Sequence, residues 1–246
     1  MKILTAGAIA AILQGIALPA LADINVGAYL AARQARYLND FDAAAQYYTQ
    51  ALTRDASNPV ILESTAIAFM ALGEIDRAVP VARQIEQQEL QSQVAFMALI
   101  AEDVAAGNHD AVIERIEAGK GVGQLADGLV MAWTELARGD VDAALARFDE
   151  VSEERGLKNF ALYHKALALA SVGDFEAAEA IFSGGDDDAP LQRTRRGTRA
   201  WAAVLRQREG RAAAMGLVDD ALGANADPLI LALRPSLKPA CPWPST

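Results

Sequence analysis

Polar, apolar and acidic positions follow one another in a beat that recurs five times: Asp40-Phe41-Asp42, Glu74-Ile75-Asp76, Asn108-His109-Asp110, Asp140-Val141-Asp142 and Asp174-Phe175-Glu176. Successive beats lie 34, 34, 32 and 34 residues apart. Gly73, Gly107, Gly139 and Gly173 precede four of them, and Asn39 precedes the other. Both residue types tolerate the left-handed backbone that ends a helix. The Asp, Asn or Glu that follows can cap the next helix, and the second acid suits that helix's positive N-terminal dipole. Each beat therefore reads as a tight turn between two helices. A fixed period of this length predicts an all-α helical-hairpin solenoid, an architecture that usually binds other proteins.

Aligning the chain on its beats brings out a second regularity. Small residues recur in pairs, Ala32 with Ala44, Ala66 with Ala78, Ala132 with Ala144 and Ala166 with Ala178. Tyr48, Phe148 and Phe182 stand four positions after the second alanine of their units. Small residues are needed where two helices cross closely, and a large apolar residue fills the space between hairpins. With the turn glycines, these offsets resemble the tetratricopeptide repeat. The resemblance covers residues 25–182 as five units. A weaker sixth, over residues 195–222, carries Trp201, Ala202, Ala214, Ala221 and Leu222. It implies a right-handed helical-hairpin solenoid of about five to six repeats that serves as a non-enzymatic protein-binding scaffold. The family's first-helix tryptophan and tyrosine are mostly alanine or leucine here, and its closing proline is Ala56 in the first unit. Pro80, early in a second helix, predicts a modest local kink.

The array occupies residues 23–228. Before it, Lys2, the apolar stretch from Ile3 to Leu18 and Ala20-Leu21-Ala22 read as a cleavable secretory signal peptide over residues 1–22. Gln14, Gly15 and Pro19 argue against an uncleaved anchor, and no later segment is apolar enough to span a bilayer. An exported protein, periplasmic in a Gram-negative bacterium, is the expectation. After the array, residues 229–246 form an irregular tail with Pro235, Pro239, Pro242 and Pro244, so the array is expected to end poorly capped. Cys241 has no internal partner and leaves stability to helix packing.

Alanine accounts for much of the 52% hydrophobic content, in keeping with closely packed helices. The net charge of −10 argues against nucleic acid as a partner. Catalytic and metal inventories are thin. His109 fills the apolar middle slot of a turn, where packing is the expected role, and His164 has no second histidine nearby. Asp186-Asp187-Asp188 lacks the alternating spacing of a calcium loop and reads as a solvated break between the fifth and sixth units. Gly119-Lys120-Gly121-Val122-Gly123 has no Ser or Thr after the lysine, so it reads as a flexible joint rather than a phosphate loop. No cofactor, metal or catalytic residue is assigned, and an enzyme or accessory hydrolase is the disfavoured alternative.

The candidate site follows from the resemblance. In tetratricopeptide-like arrays the first helix of each unit lines a concave groove. Alignment places Tyr29, Arg33, Arg36 and Tyr37 there in the first unit, and Glu63, Ile67 and Met70 in the second. Met97 and Ala101 follow in the third, Leu129 and Trp133 in the fourth, and Tyr163 and Leu167 in the fifth. Tyrosine, tryptophan, methionine and arginine are the types enriched at binding surfaces. Ile67 and Leu129 equally suit packing between neighbouring first helices, and Trp133 can pack internally too. The partner expected is a peptide or helix of another protein, with self-association through the last helix as the alternative. Arg193, Arg195, Arg196, Arg199, Arg206, Arg208 and Arg211 form a basic cluster in an acidic chain. It could take an acidic peptide or a phosphate-bearing surface, but internal compensation by Asp186-Asp187-Asp188 is the simpler expectation for it.

Overall fold

The computed structural model describes residues 24–184, 191, 194–223 and 227–234. The expected signal peptide, the Asp186-Asp187-Asp188 run, Arg193 and the tail from Pro235, with Cys241, lie outside the described residues. The chain divides into two compact units between Leu90 and Gln91. The first holds α1 (Ile24–Tyr37), α2 (Phe41–Leu52), α3 (Pro59–Leu72) and α4 (Ile75–Gln87). The second holds α5 (Gln93–Ala106), α6 (His109–Glu117), α7 (Gln124–Ala137), α8 (Val141–Glu153) and α9 (Lys158–Ser171). It continues through α10 (Phe175–Ser183), α11 (Arg195–Arg208), α12 (Arg211–Leu222) and the single turn α13 (Pro228–Leu231). Among the described residues there is no strand. Within each unit, helices consecutive in sequence pack as hairpins.

Every beat closes in the same way. The N–H groups of Asp40, Glu74, Asn108, Asp140 and Asp174 donate to the carbonyls of Ala35, Phe69, Asp103, Glu135 and Leu169, at 2.9–3.0 Å. This bond, five residues back, satisfies an orphan carbonyl at the helix end and requires the preceding residue to turn left-handed. Asn39 and the four turn glycines do so, with φ between 59° and 90°. Capping is more selective than the turn pattern predicts. The carboxylates of Asp40, Asp140 and Asp174 accept from the N–H groups of Ala43, Ala143 and Ala177. Glu74 and Asn108 make no such bond. The longer Glu74 side chain reaches Arg77 instead, at 2.6 Å, and Asn108 donates to Asp103.

The hairpin cores follow the small-residue pairs. Ala32, Ala44, Ala66, Ala78, Ala132, Ala144, Ala166 and Ala178 are all fully buried, and so are the fillers Tyr48 and Phe148, with Phe182 close behind. Ala202 and Ala214 continue the pairing 36 residues on, with Val218 as the filler. The α5–α6 hairpin departs from this rule, because Ile100 and Val112 hold the alanine positions and both are buried. Bulkier side chains at a crossing hold helix axes apart. Accordingly α5 and α6, the latter short, share less contact than the helices of any other hairpin.

Two further expectations need revision. The glycine-rich joint before α7 is held in place, since the Asp127 carboxylate accepts from the N–H groups of Val122 at 2.7 Å and Gly123 at 3.1 Å. A Cβ on Gly121 would lie 2.2 Å from that carboxylate, so the glycine makes room for the clasp rather than for motion. The array also does not end bare, and helix persists into the segment read as irregular. Asp227 caps α13 through the Leu229 N–H, and Ile230 is buried against Ala202, Leu205, Leu217 and Leu222 of α11 and α12. Helix α4 includes Pro80, whose exposed position leaves the unpaired carbonyl access to water, a setting compatible with the modest kink expected there.

Candidate functional site

The first helices of the hairpins bury their alanine face and leave other faces available. In the first unit, Arg33, Arg36 and Tyr37 of α1 are exposed, Tyr37 at 81%. Tyr29 is half-buried, its ring 6.2 Å from that of Tyr48, and the Arg33 guanidinium lies 5.9 Å from the Tyr29 ring centre. That contact holds a cation over an aromatic face at the surface. On α3, Glu63 is exposed while Ile67 and Met70 are half-buried. Tyr29 and Val26 also line a cleft of about 310 Å3 with Asp55, Asn58, Val60 and Ile61. Val60 is exposed there because it occupies the first turn of α3, ahead of the buried Ile61 and Leu62.

In the second unit, Met97 of α5 is exposed at 38%, while Ala101, Leu129, Trp133, Tyr163 and Leu167 are half-buried. Trp133 and Tyr163 meet through His164, to which the sequence assigned no role. The Trp133 Nε1–H donates to Nδ1 of His164 at 3.1 Å. Around this bond the rings of Phe148, Trp133, His164, Tyr163, Phe182 and Trp201 form a chain with centroid separations of 5.4–6.4 Å. Edge-to-face geometry dominates it, the arrangement that ring quadrupoles favour. Trp133 and Tyr163 therefore give part of their surface to internal packing. Burial lowers the pKa of His164, which favours the neutral ring, and the Trp133 N–H selects the tautomer in which Nδ1 accepts. The repeat sets His164 one residue beyond the position equivalent to Leu129, on the next first helix, but carries no signal that it pairs with Trp133.

Two arginines of the basic cluster pair with acids of the described residues, while the Asp186-Asp187-Asp188 run expected to compensate it lies outside them. Arg195 pairs with Asp227, and Arg208 pairs with Glu179. The Asp227 carboxyl is held below its ordinary pKa, first by the Leu229 N–H and then by Arg195. His109 is half-buried at the start of α6, beside Gly107, Asp110 and Arg138. Among the described residues, no three His, Cys, Asp or Glu side chains converge as a metal site would need. Among the same residues, no helix is long and apolar enough to cross a membrane.

Hairpins closed by identical turns, crossing at small residues and filled by aromatics define a helical-hairpin repeat protein. The tetratricopeptide repeat profile matches residues 29–91 and 129–193, just over half of the chain, and the chain belongs to that family. Its repeats make it a protein–protein interaction scaffold. The interval between the two matches contains α5 and α6, where Ile100 and Val112 replace the crossing alanines. A tetratricopeptide repeat protein from Parabacteroides merdae ATCC 43184 has a similar crystal structure, with a TM-score of 0.62 at 17% identity. The match covers 90% of this chain and 87% of that one. A chain of the APC/C hetero-tetramer Cut9-Hcn1 is also similar, with a TM-score of 0.57 at 15% identity over 87% of this chain and 43% of that one. At these identities the likeness is one of fold. No curated protein sequence matches the chain.

Proposed function

We propose that this protein is a non-enzymatic scaffold of the bacterial cell envelope that holds a peptide or helix of a partner protein on the first-helix faces of its repeats. The observation that carries the reading is the contrast across those helices. One side carries fully buried alanines, while other positions keep Arg33, Arg36 and Tyr37 on α1 and Met97 on α5 exposed. Aromatic, arginine and methionine side chains supply large contact area, directional charge and adaptable packing, the properties of binding anchors. The envelope setting rests on the N-terminal sequence, with its basic start, apolar stretch and Ala20-Leu21-Ala22 before Asp23.

The test joins the two parts. The chain expressed with its leader should be recovered from the periplasmic fraction with Asp23 as its first residue. That material should capture a partner from envelope extract, identified by mass spectrometry. Alanine at a true anchor among Tyr37, Arg33, Met70 and Met97 should weaken that partner by about 2 kcal/mol or more, whereas Gln46→Ala on α2 should change little. Capture that survives all four changes but is lost with Q46A would overturn the assignment of the faces.

A further inference from the structure

The last hairpin carries a cleft that the scaffold reading leaves unassigned. Arg195, Arg196 and Arg199 of α11 face Leu229, Ile230, Ala232 and Leu233 across a space of about 420 Å3. Because Ala202 and Ala214 repeat Ala166 and Ala178 at a step of 36, Arg199 holds the position of Tyr163, Met97 and Tyr29 in the earlier repeats. Among the described residues, only one of the three arginines has an ion-pair partner. Arg195 pairs with Asp227, which fixes the start of α13 and so sets the opposite wall. Arg196 and Arg199 are exposed and have no ion-pair partner among the described residues. Beside them, Leu229 is 62% exposed.

We propose that this cleft binds an acidic, leucine-type segment of the partner polypeptide, its carboxylates on Arg196 and Arg199 and an apolar side chain against Leu229 and Ile230. The proposal rests on the scaffold reading and adds the partner's chemistry to it. Charge complementarity selects the ligand. The chain carries a net charge of −10, so two exposed arginines without an ion-pair partner among the described residues form a local reversal of its field. Guanidinium forks take carboxylates through paired, charge-assisted hydrogen bonds. The neighbouring leucine and isoleucine favour an apolar side chain on the same segment. Nucleic acid fits less well, because among the described residues the cleft has no aromatic ring on which a base could stack.

The experiment uses the full purified chain and a fluorescent ten-residue peptide that alternates Asp with Leu, beside a twin carrying Asn in place of Asp. Anisotropy should register binding of the acidic peptide and not of the Asn twin, with affinity falling as salt rises. The double substitution R196Q/R199Q should weaken binding about tenfold or more, and R196K/R199K should recover part of the loss. Both arginines are exposed, so the melting curve of each variant should match that of the unaltered chain. Equal affinity for the Asn twin, or undiminished binding by R196Q/R199Q, overturns the proposal. So does binding that appears only in D186N/D187N/D188N, which would make the chain's own acidic run the occupant. Arginine-dependent binding of single-stranded DNA, with none of the peptide, overturns it as well. The captured envelope partner separates the two readings. Loss through Y37A or M97A but not R196Q/R199Q removes the cleft and leaves the scaffold standing, whereas indifference to all of them removes the scaffold.

Discussion

At the scale of single residues, alanine and histidine illustrate opposite degrees of legibility. Ala44, Ala78 and Ala178 are fully buried at helix crossings, where added volume has no room to go. Leucine at any of the three should cost about 1–3 kcal/mol in chemical denaturation, against a near-neutral Gln46→Leu on the exposed side of α2. Similar costs at both kinds of site would refute the assigned crossings. His164 has a pH-dependent role that no residue pattern announced. Folding lowers its pKa below the ordinary 6.5 by burial, so the native state favours the neutral ring that accepts from Trp133. The resulting stability is complete above about pH 6.5 and declines as pH falls towards and through the native pKa. Melting temperature should therefore drop between about pH 6.5 and 5, above the range where carboxylates titrate. His164→Asn keeps an acceptor without a titrating ring, and its pH profile should be flatter over that interval.

At the scale of the element, the five beats look equivalent as text but are not equivalent as caps. Asp40, Asp140 and Asp174 each satisfy a backbone N–H at the start of their helix, while Glu74 does not. Asp174→Ala should cost about 1 kcal/mol. Glu74→Ala removes only its exposed pair with Arg77 and should cost a few tenths. Thermal melts of the two variants compare them directly, and an equal loss would mean that the side-chain caps are not what distinguishes these turns. The joint before α7 offers a parallel lesson. Its glycines suggested freedom, yet Gly121 is where the Asp127 clasp leaves no space for a Cβ.

On the scale of the whole molecule, a repeat protein is stabilised largely by neighbouring helices, so its parts need not unfold together. Trp133, Trp201 and Trp243 all follow the division at Leu90, whereas helix is spread through both units. Tryptophan fluorescence thus reports the second unit and far-UV circular dichroism reports both. Ala78→Leu, a change in the first unit, should move the circular dichroism transition in urea further than the fluorescence transition. Coincident shifts would show the two units unfolding as one.

The turns, the helix pairs and the crossing alanines were legible in the sequence because each depends on neighbours at fixed separation. A left-handed residue ends a helix and a small residue admits a close crossing wherever they occur. Asn39, Gly73 and the alanine pairs therefore announced the hairpins without help from the rest of the chain. Tertiary structure decided what depends on partners from distant positions. It joined Trp133 to His164 across two first helices, gave Arg195 to Asp227 and left Arg196 and Arg199 beside Leu229. Those pairings arise from the distances between helix faces after packing, a quantity that periodicity along the chain does not encode.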